Sequence, residues 1–147
     1  MSTLEEGKAL IVAAVVATEV PPPGTSALND AQVALARQAV CNVIRARATS
    51  PTFPNDPVLV VLQPLQFSAV CREDYWRKAL AGQWFPEHVL ACLQEWNNLP
   101  PSPVAAGATY YYSPVSMQPP GRVPAWVAGK TEVLVPGLPR YFFRFYS

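Results

Sequence analysis

The sequence predicts a mainly helical α+β domain, on three observations. Residues 9–17 form an unbroken apolar run behind a capping signature, residues 29–46 carry apolar side chains at three-to-four spacing, and aromatic or β-branched runs are confined to the last third. The first two are helical signals and the third, set between prolines and glycines, is a signal for short strands. A chain of 147 residues is one domain's worth, so residues 1–147 are read as a single unit.

Ser2-Thr3-Leu4-Glu5 has the form of a capping box, which starts a first helix over about residues 3–18. Its apolar stretch is far shorter than the roughly 20 residues that span a bilayer. Glu5, Glu6 and Lys8 precede it, where an export signal has a purely basic start. The segment is therefore expected to be a core helix, with no signal peptide and no membrane span. Val33, Ala36, Val40, Val43 and Ile44, joined by Arg47, give a second, amphipathic helix ending near Ala46. Asp56-Pro57 is a cap followed by proline at the first helical position, opening a short helix through Leu62. Two more helices are expected, over about residues 74–81 and 86–96, the latter burying Val89, Leu90, Leu93 and Trp96. Residues 109–112, 131–135 and 141–146 read as short strands or extended segments.

Composition removes several function classes. A net charge of +1 gives no surface for a polyanion, so no nucleic acid partner is expected. The seven glycines are scattered and form no phosphate loop. His88 is the single histidine, which excludes a two-histidine zinc site, and it has no nucleophile elbow beside it; a surface or half-buried helix position is expected for it. Cys41, Cys71 and Cys92 are odd in number and lack a CxxC pair, so they specify neither a zinc site nor a complete disulfide framework. No metal and no cofactor are expected. Folding in a reducing cytoplasm follows, and work outside it would require release by lysis, a pore or a particle.

Glu19 is the most informative residue. It ends the apolar helix immediately before Val20 and Pro21-Pro22-Pro23. An all-round apolar helix is normally buried, and burial raises a carboxyl pKa into the range where it donates a proton near neutral pH. The other carboxylates look like caps or solvated helix positions, leaving no second buried acid to pair with it. One acid can still cleave a glycosidic bond if the substrate supplies the nucleophile, by protonating the leaving oxygen and then accepting the proton of the attacking hydroxyl.

Several motifs occur in a characteristic order. They are Glu19 with Gly24 a few residues on; Asn42-Val43-Ile44-Arg45-Ala46-Arg47; Phe53-Pro54; Gln66-Phe67-Ser68; Tyr110-Tyr111-Tyr112-Ser113-Pro114; Pro124-Ala125-Trp126; and Tyr141-Phe142-Phe143-Arg144. This order resembles the spore-cortex-lytic type of cell wall hydrolase along nearly the whole chain. Ala46, Ser113 and Arg140 depart from the family's usual Asn, Asn and His. The resemblance implies a lysozyme-like fold, a peptidoglycan substrate, and Glu19 as the catalytic acid of a lytic transglycosylase or muramidase-like enzyme.

Around that acid, Gln66 either bonds sugar amides and hydroxyls or satisfies an interior carbonyl. Tyr110 and Tyr112 share one face of an extended segment and Tyr111 the other, so one face can stack on sugar rings while its opposite packs inward. Trp126 is either a carbohydrate platform or a plug beneath the C-terminal region. Arg47 is expected to tie the second helix to a loop or to the Pro51 turn rather than touch substrate. The short chain resembles a bacteriophage lysin or virion-associated lysin, which implies phage tail or baseplate proteins as partners and the cell wall or periplasm as the place of action. The rival expectation is a non-enzymatic, structural or glycan-binding component of a phage tail or particle.

Overall fold

A computed structural model describes residues 2–63 and 75–147 of the chain. The described helices are α1 (Thr3–Glu19), α2 (Asp30–Thr49), α3 (Pro57–Val61), α4 (Tyr75–Leu80) and α5 (Pro86–Asn97). The strands are β1 (Tyr110–Tyr112), β2 (Glu132–Val133) and β3 (Arg144–Tyr146), with single 3-10 turns at Pro114–Ser116 and Ala125–Val127. The mainly helical α+β class expected from the sequence is what is found. Among the described residues no helix is long and apolar enough to cross a membrane.

Local chemistry sets the helix ends. The Ser2 hydroxyl accepts from the Glu5 amide and Glu5 Oε2 accepts from the Ser2 amide, closing the capping box of α1. At the other end, Pro21 forces Val20 out of the helical region, and Val20 is extended at φ −100° and ψ 124°. Asn29 and Gln32 cap α2 in the same reciprocal way. That helix runs to Thr49, beyond the expected Ala46, because the first residue barred from helix is Ser50, which precedes Pro51. Asp56 Oδ1 accepts from the Val58 amide to start α3, while its other oxygen takes the Lys8 ammonium at 2.9 Å and ties α3 to the start of α1.

α1 is the axis of the molecule. It packs most extensively against α5 and α4, then α3 and α2, so Val12 to Ala17 are buried on every side. Each fully buried valine there contributes about 1.5–3 kcal/mol of hydrophobic free energy. α2 buries Val33, Ala36, Val40, Val43 and Ile44 as its spacing required. α5 departs from expectation at Leu90 and His88: Leu90 is 55% exposed, and the inward stripe is His88, Val89 and Cys92, with Leu93 and Trp96 partly covered. At 100° per residue Leu90 falls well away from the mean direction of that stripe, so apolar character alone misplaced it.

The sheet order is β1-β3-β2, all antiparallel, with Tyr111 opposite Phe145 and Val133 opposite the same Phe145. The strands are shorter than their aromatic runs because Phe142 and Phe143 donate their amides to Pro139 O, making the start of the last run a turn. One sheet face carries Tyr111 and Phe145, stacked at 5.7 Å and extended by Phe143. The opposite face carries Tyr112 and Tyr146, stacked at 6.1 Å and capped by Trp126.

The Asn42-to-Arg47 motif joins the two halves. Asn42 Nδ2 donates to Ser102 O and Val104 O, each at 2.7 Å. Arg45 bonds Asn42 Oδ1 and donates to Glu95 O and Trp96 O at the end of α5, where Glu95 O also accepts the Asn98 amide. Arg47, buried, donates from Nε to Thr109 O at 2.6 Å, just before β1, with its guanidinium over the rings of Phe53 and Tyr110. Val43 and Ile44 fill the core between these polar clamps. The expected tie from Arg47 to a loop is thus made.

Candidate active site

Glu19 is the last residue of α1, and its half-buried side chain enters a cleft of about 480 Å³. Thr18, Glu19 and Pro21 form one wall, Tyr111, Tyr112 and Phe143 another, and Ser113, Ser116, Met117 and Phe142 the mouth. After the Pro21-Pro22-Pro23 run the chain folds away through a turn in which the Thr25 amide donates to Pro22 O. Gly24 takes φ +79° there, a conformation that strains any side-chain-bearing residue.

The Tyr111 hydroxyl donates to Glu19 Oε1 at 3.2 Å. Burial, then the nearby Glu19 charge, pushes the Tyr111 hydroxyl well above the ordinary phenol range, so it stays protonated and remains a donor. Arg47 stands close enough to interact with the Glu19 charge; burial pulls its guanidinium below the usual arginine range and Tyr111, Tyr110 and Glu19 pull it back.

The residues singled out from sequence part company here. Glu19 and Tyr112 share the cleft. Tyr110 and Trp126 instead meet each other at 5.4 Å, with Phe53 on the edge of Tyr110 and the Lys130 ammonium 4.1 Å from its ring. Gln66 lies outside the described residues, as do Cys71, Glu73 and Asp74. Among the described residues no second carboxylate lines the cleft. Tyr111 is the contact that sequence reasoning passed over. Alternation showed that it faces away from its neighbours, but not which face meets α1.

Two departures from the family pattern have plain surroundings. Ser113 lines the cleft and accepts a hydrogen bond from the Ser116 hydroxyl at 3.2 Å. Arg140 makes a bidentate pair with Glu132, both bonds 2.7 Å, tying β2 to the turn before β3. Cys41 and Cys92 are free and buried; burial pushes the Cys92 thiol up to about 12 and raises that of Cys41, so both act as packing side chains. Among the described residues no group of three or more His, Cys, Asp or Glu could hold a metal ion.

His88 differs from expectation. It is buried, only 3% exposed, because α5 turns it against the end of α1. Burial lowers its pKa, the Arg37 charge lowers it further, and hydrogen bonds to Val20 O and Ala17 O oppose them. The unfolded chain, with a histidine pKa of about 6.5, takes up the proton first as pH falls. This stability is therefore fully present above about pH 6.5 and is lost as pH falls through the folded value. Urea midpoints measured from pH 7.5 to 5 should fall, and fall less in His88→Gln; equal declines would refute the linkage.

A family model described as Cell Wall Hydrolase matches residues 32–140 of the chain. Glu19 lies before the matched stretch. No curated protein and no solved structure gives a match.

Proposed function

The chain belongs to the cell wall hydrolase family, and from this we propose that it cleaves the glycan strand of peptidoglycan, with Glu19 as the single acid and base. The observation that carries the proposal is the Glu19 carboxyl held by the Tyr111 hydroxyl in a cleft of about 480 Å³. Protonated Glu19 gives its proton to the glycosidic oxygen as the C1–O bond breaks. The carboxylate, steadied by Tyr111 and Arg47, then accepts the proton of the sugar's own 6-hydroxyl as that oxygen bonds to C1 and closes an anhydro ring. A water in place of that hydroxyl gives the muramidase outcome with the same carboxyl.

Among the described residues no second carboxylate lines the cleft, which favours the intramolecular route, since inverting and retaining hydrolases place a pair across the bond. Mass spectrometry of products released from purified walls decides between the routes: anhydro ends support the lytic transglycosylase reading, and reducing ends exclude it. Tyr112, Ser113 and Ser116 supply polar contacts along the cleft, and Gln66, Tyr110 and Trp126 remain proposed glycan contacts. Phage origin, tail or baseplate partners and delivery in the virion rest on the likeness of the chain to a bacteriophage lysin.

Replacing Tyr111 with Phe removes one hydrogen bond to a charged group, worth about 1.5–3 kcal/mol. Wall lysis by Tyr111→Phe, measured well below the melting point, should fall about tenfold or more, with the melting temperature lower by roughly 3–12 °C at about 2–4 °C per kcal/mol. Unchanged lysis would remove Tyr111 from the mechanism.

A further inference from the structure

The single histidine lies beneath the turn that carries Glu19. His88 Nε2 is 2.9 Å from Ala17 O and 2.8 Å from Val20 O, the carbonyls two residues before Glu19 and one after it. Both can only accept, so Nε2 carries the proton. Nδ1 lies 3.0 Å from Arg37 Nη2 and 3.3 Å from Arg37 Nε, and a guanidinium can only donate. The ring is thereby held neutral and in one tautomer. Also near it are the Trp84 ring, edge-on at 6.2 Å, and Glu87, the residue before it on α5, while Arg37 also hydrogen-bonds the Cys92 side chain.

α1 needs such a donor. Its last turn has no basic side chain and its cap residue, Val20, is extended and buried. The carbonyls there have no further turn of helix to satisfy them. One imidazole N–H gathers a carbonyl from each side of Glu19 and so sets the backbone rotation from which the carboxyl reaches the cleft.

We propose that His88, oriented by Arg37, is a positioning residue for Glu19: its Nε2–H clamps the Ala17 and Val20 carbonyls and thereby holds the carboxyl at the Tyr111 hydroxyl. The inference rests on the reading of Glu19 as the acid. His88 touches no substrate. Displacing a catalytic group by about 1 Å costs on the order of 100-fold in rate, so the clamp acts on kcat rather than on substrate binding.

The test measures kcat and KM on soluble glycan chains for the full chain and for Glu19→Gln, His88→Leu, His88→Gln and Arg37→Met, with melting temperatures alongside. His88→Leu, which lacks the donor, should lose about 10- to 100-fold in kcat with KM within about twofold. His88→Gln places an amide N–H near the Nε2 position and should recover most of that loss. Arg37→Met frees the other tautomer, should lower kcat by a smaller factor, and keeps the inference testable if His88→Leu does not fold. Nitrogen NMR of the wild-type ring should show the Nε2–H tautomer. An inactive Glu19→Gln beside a folded His88→Leu of wild-type kcat would overturn this inference alone, as would equal losses in the Leu and Gln variants, wild-type kcat in Arg37→Met, or an Nδ1–H ring. Wild-type lysis by Glu19→Gln would overturn the reading of Glu19 and this inference with it.

Discussion

Glu19→Gln is expected to abolish wall lysis while leaving the fold intact. General acid–base catalysis by one positioned group contributes about 10²–10⁴-fold, and a single carboxyl performing both transfers has no substitute among the described residues of the cleft. The amide is isosteric and its oxygen still accepts from Tyr111, so the contact that orients the side chain survives. What is lost is the proton it donates and the charge it regains. Zymograms on purified walls, with circular dichroism as the control for folding, provide the measurement. The variant should also still sediment with walls, since binding needs no proton transfer. Lysis near the wild-type level would end the assignment, and a wild type that binds walls without cutting them would favour a structural or glycan-binding role.

Phe145→Ala should have the largest effect on stability. Among the described residues Phe145 is the largest fully buried side chain, sits opposite both Tyr111 and Val133 in the sheet, and packs on Tyr111 and Phe143. Truncating a buried phenylalanine costs about 3–5 kcal/mol through lost transfer energy and the remaining cavity. For a domain of this size that lowers the melting temperature by roughly 10 °C, at about 2–4 °C per kcal/mol. Activity measured well below the melting point should fall as well, because Tyr111 loses the ring that holds it toward Glu19. A loss of less than about 1 kcal/mol would mean that the sheet is not part of the cooperative core. Full activity in the destabilised variant would separate Tyr111 from its stack.

Much of the scaffold was legible because its signals are short in range. Ser2 with Glu5, Asp56 before Pro57, and Pro86 at the head of α5 each act within one helical turn, and each starts a helix where the pattern put it. Pro21 after Val20 ends α1 by a steric clash between adjacent residues. The Asn42-to-Arg47 motif was visible as a motif, but its purpose was not. Its polar side chains reach Ser102, Val104, Glu95, Trp96 and Thr109, partners 50 to 62 residues away.

The site divides along the same line. Sequence alone was enough for Glu19 at the end of an apolar helix, for the alternation of Tyr110, Tyr111 and Tyr112, and for the order of motifs that marks the family. Periodicity states which residues share a face, and local sterics state where an element stops. Neither states which face meets which neighbour. That choice came from packing: the sheet laid Tyr111 rather than Tyr110 against Glu19, α5 rotated His88 inward and Leu90 outward, and Arg37 from α2 met the buried ring. The reason is that the free energy of burial and hydrogen-bond pairing is minimised over the whole core at once, so a side chain's partner depends on residues far away in the chain, where local pattern carries no information.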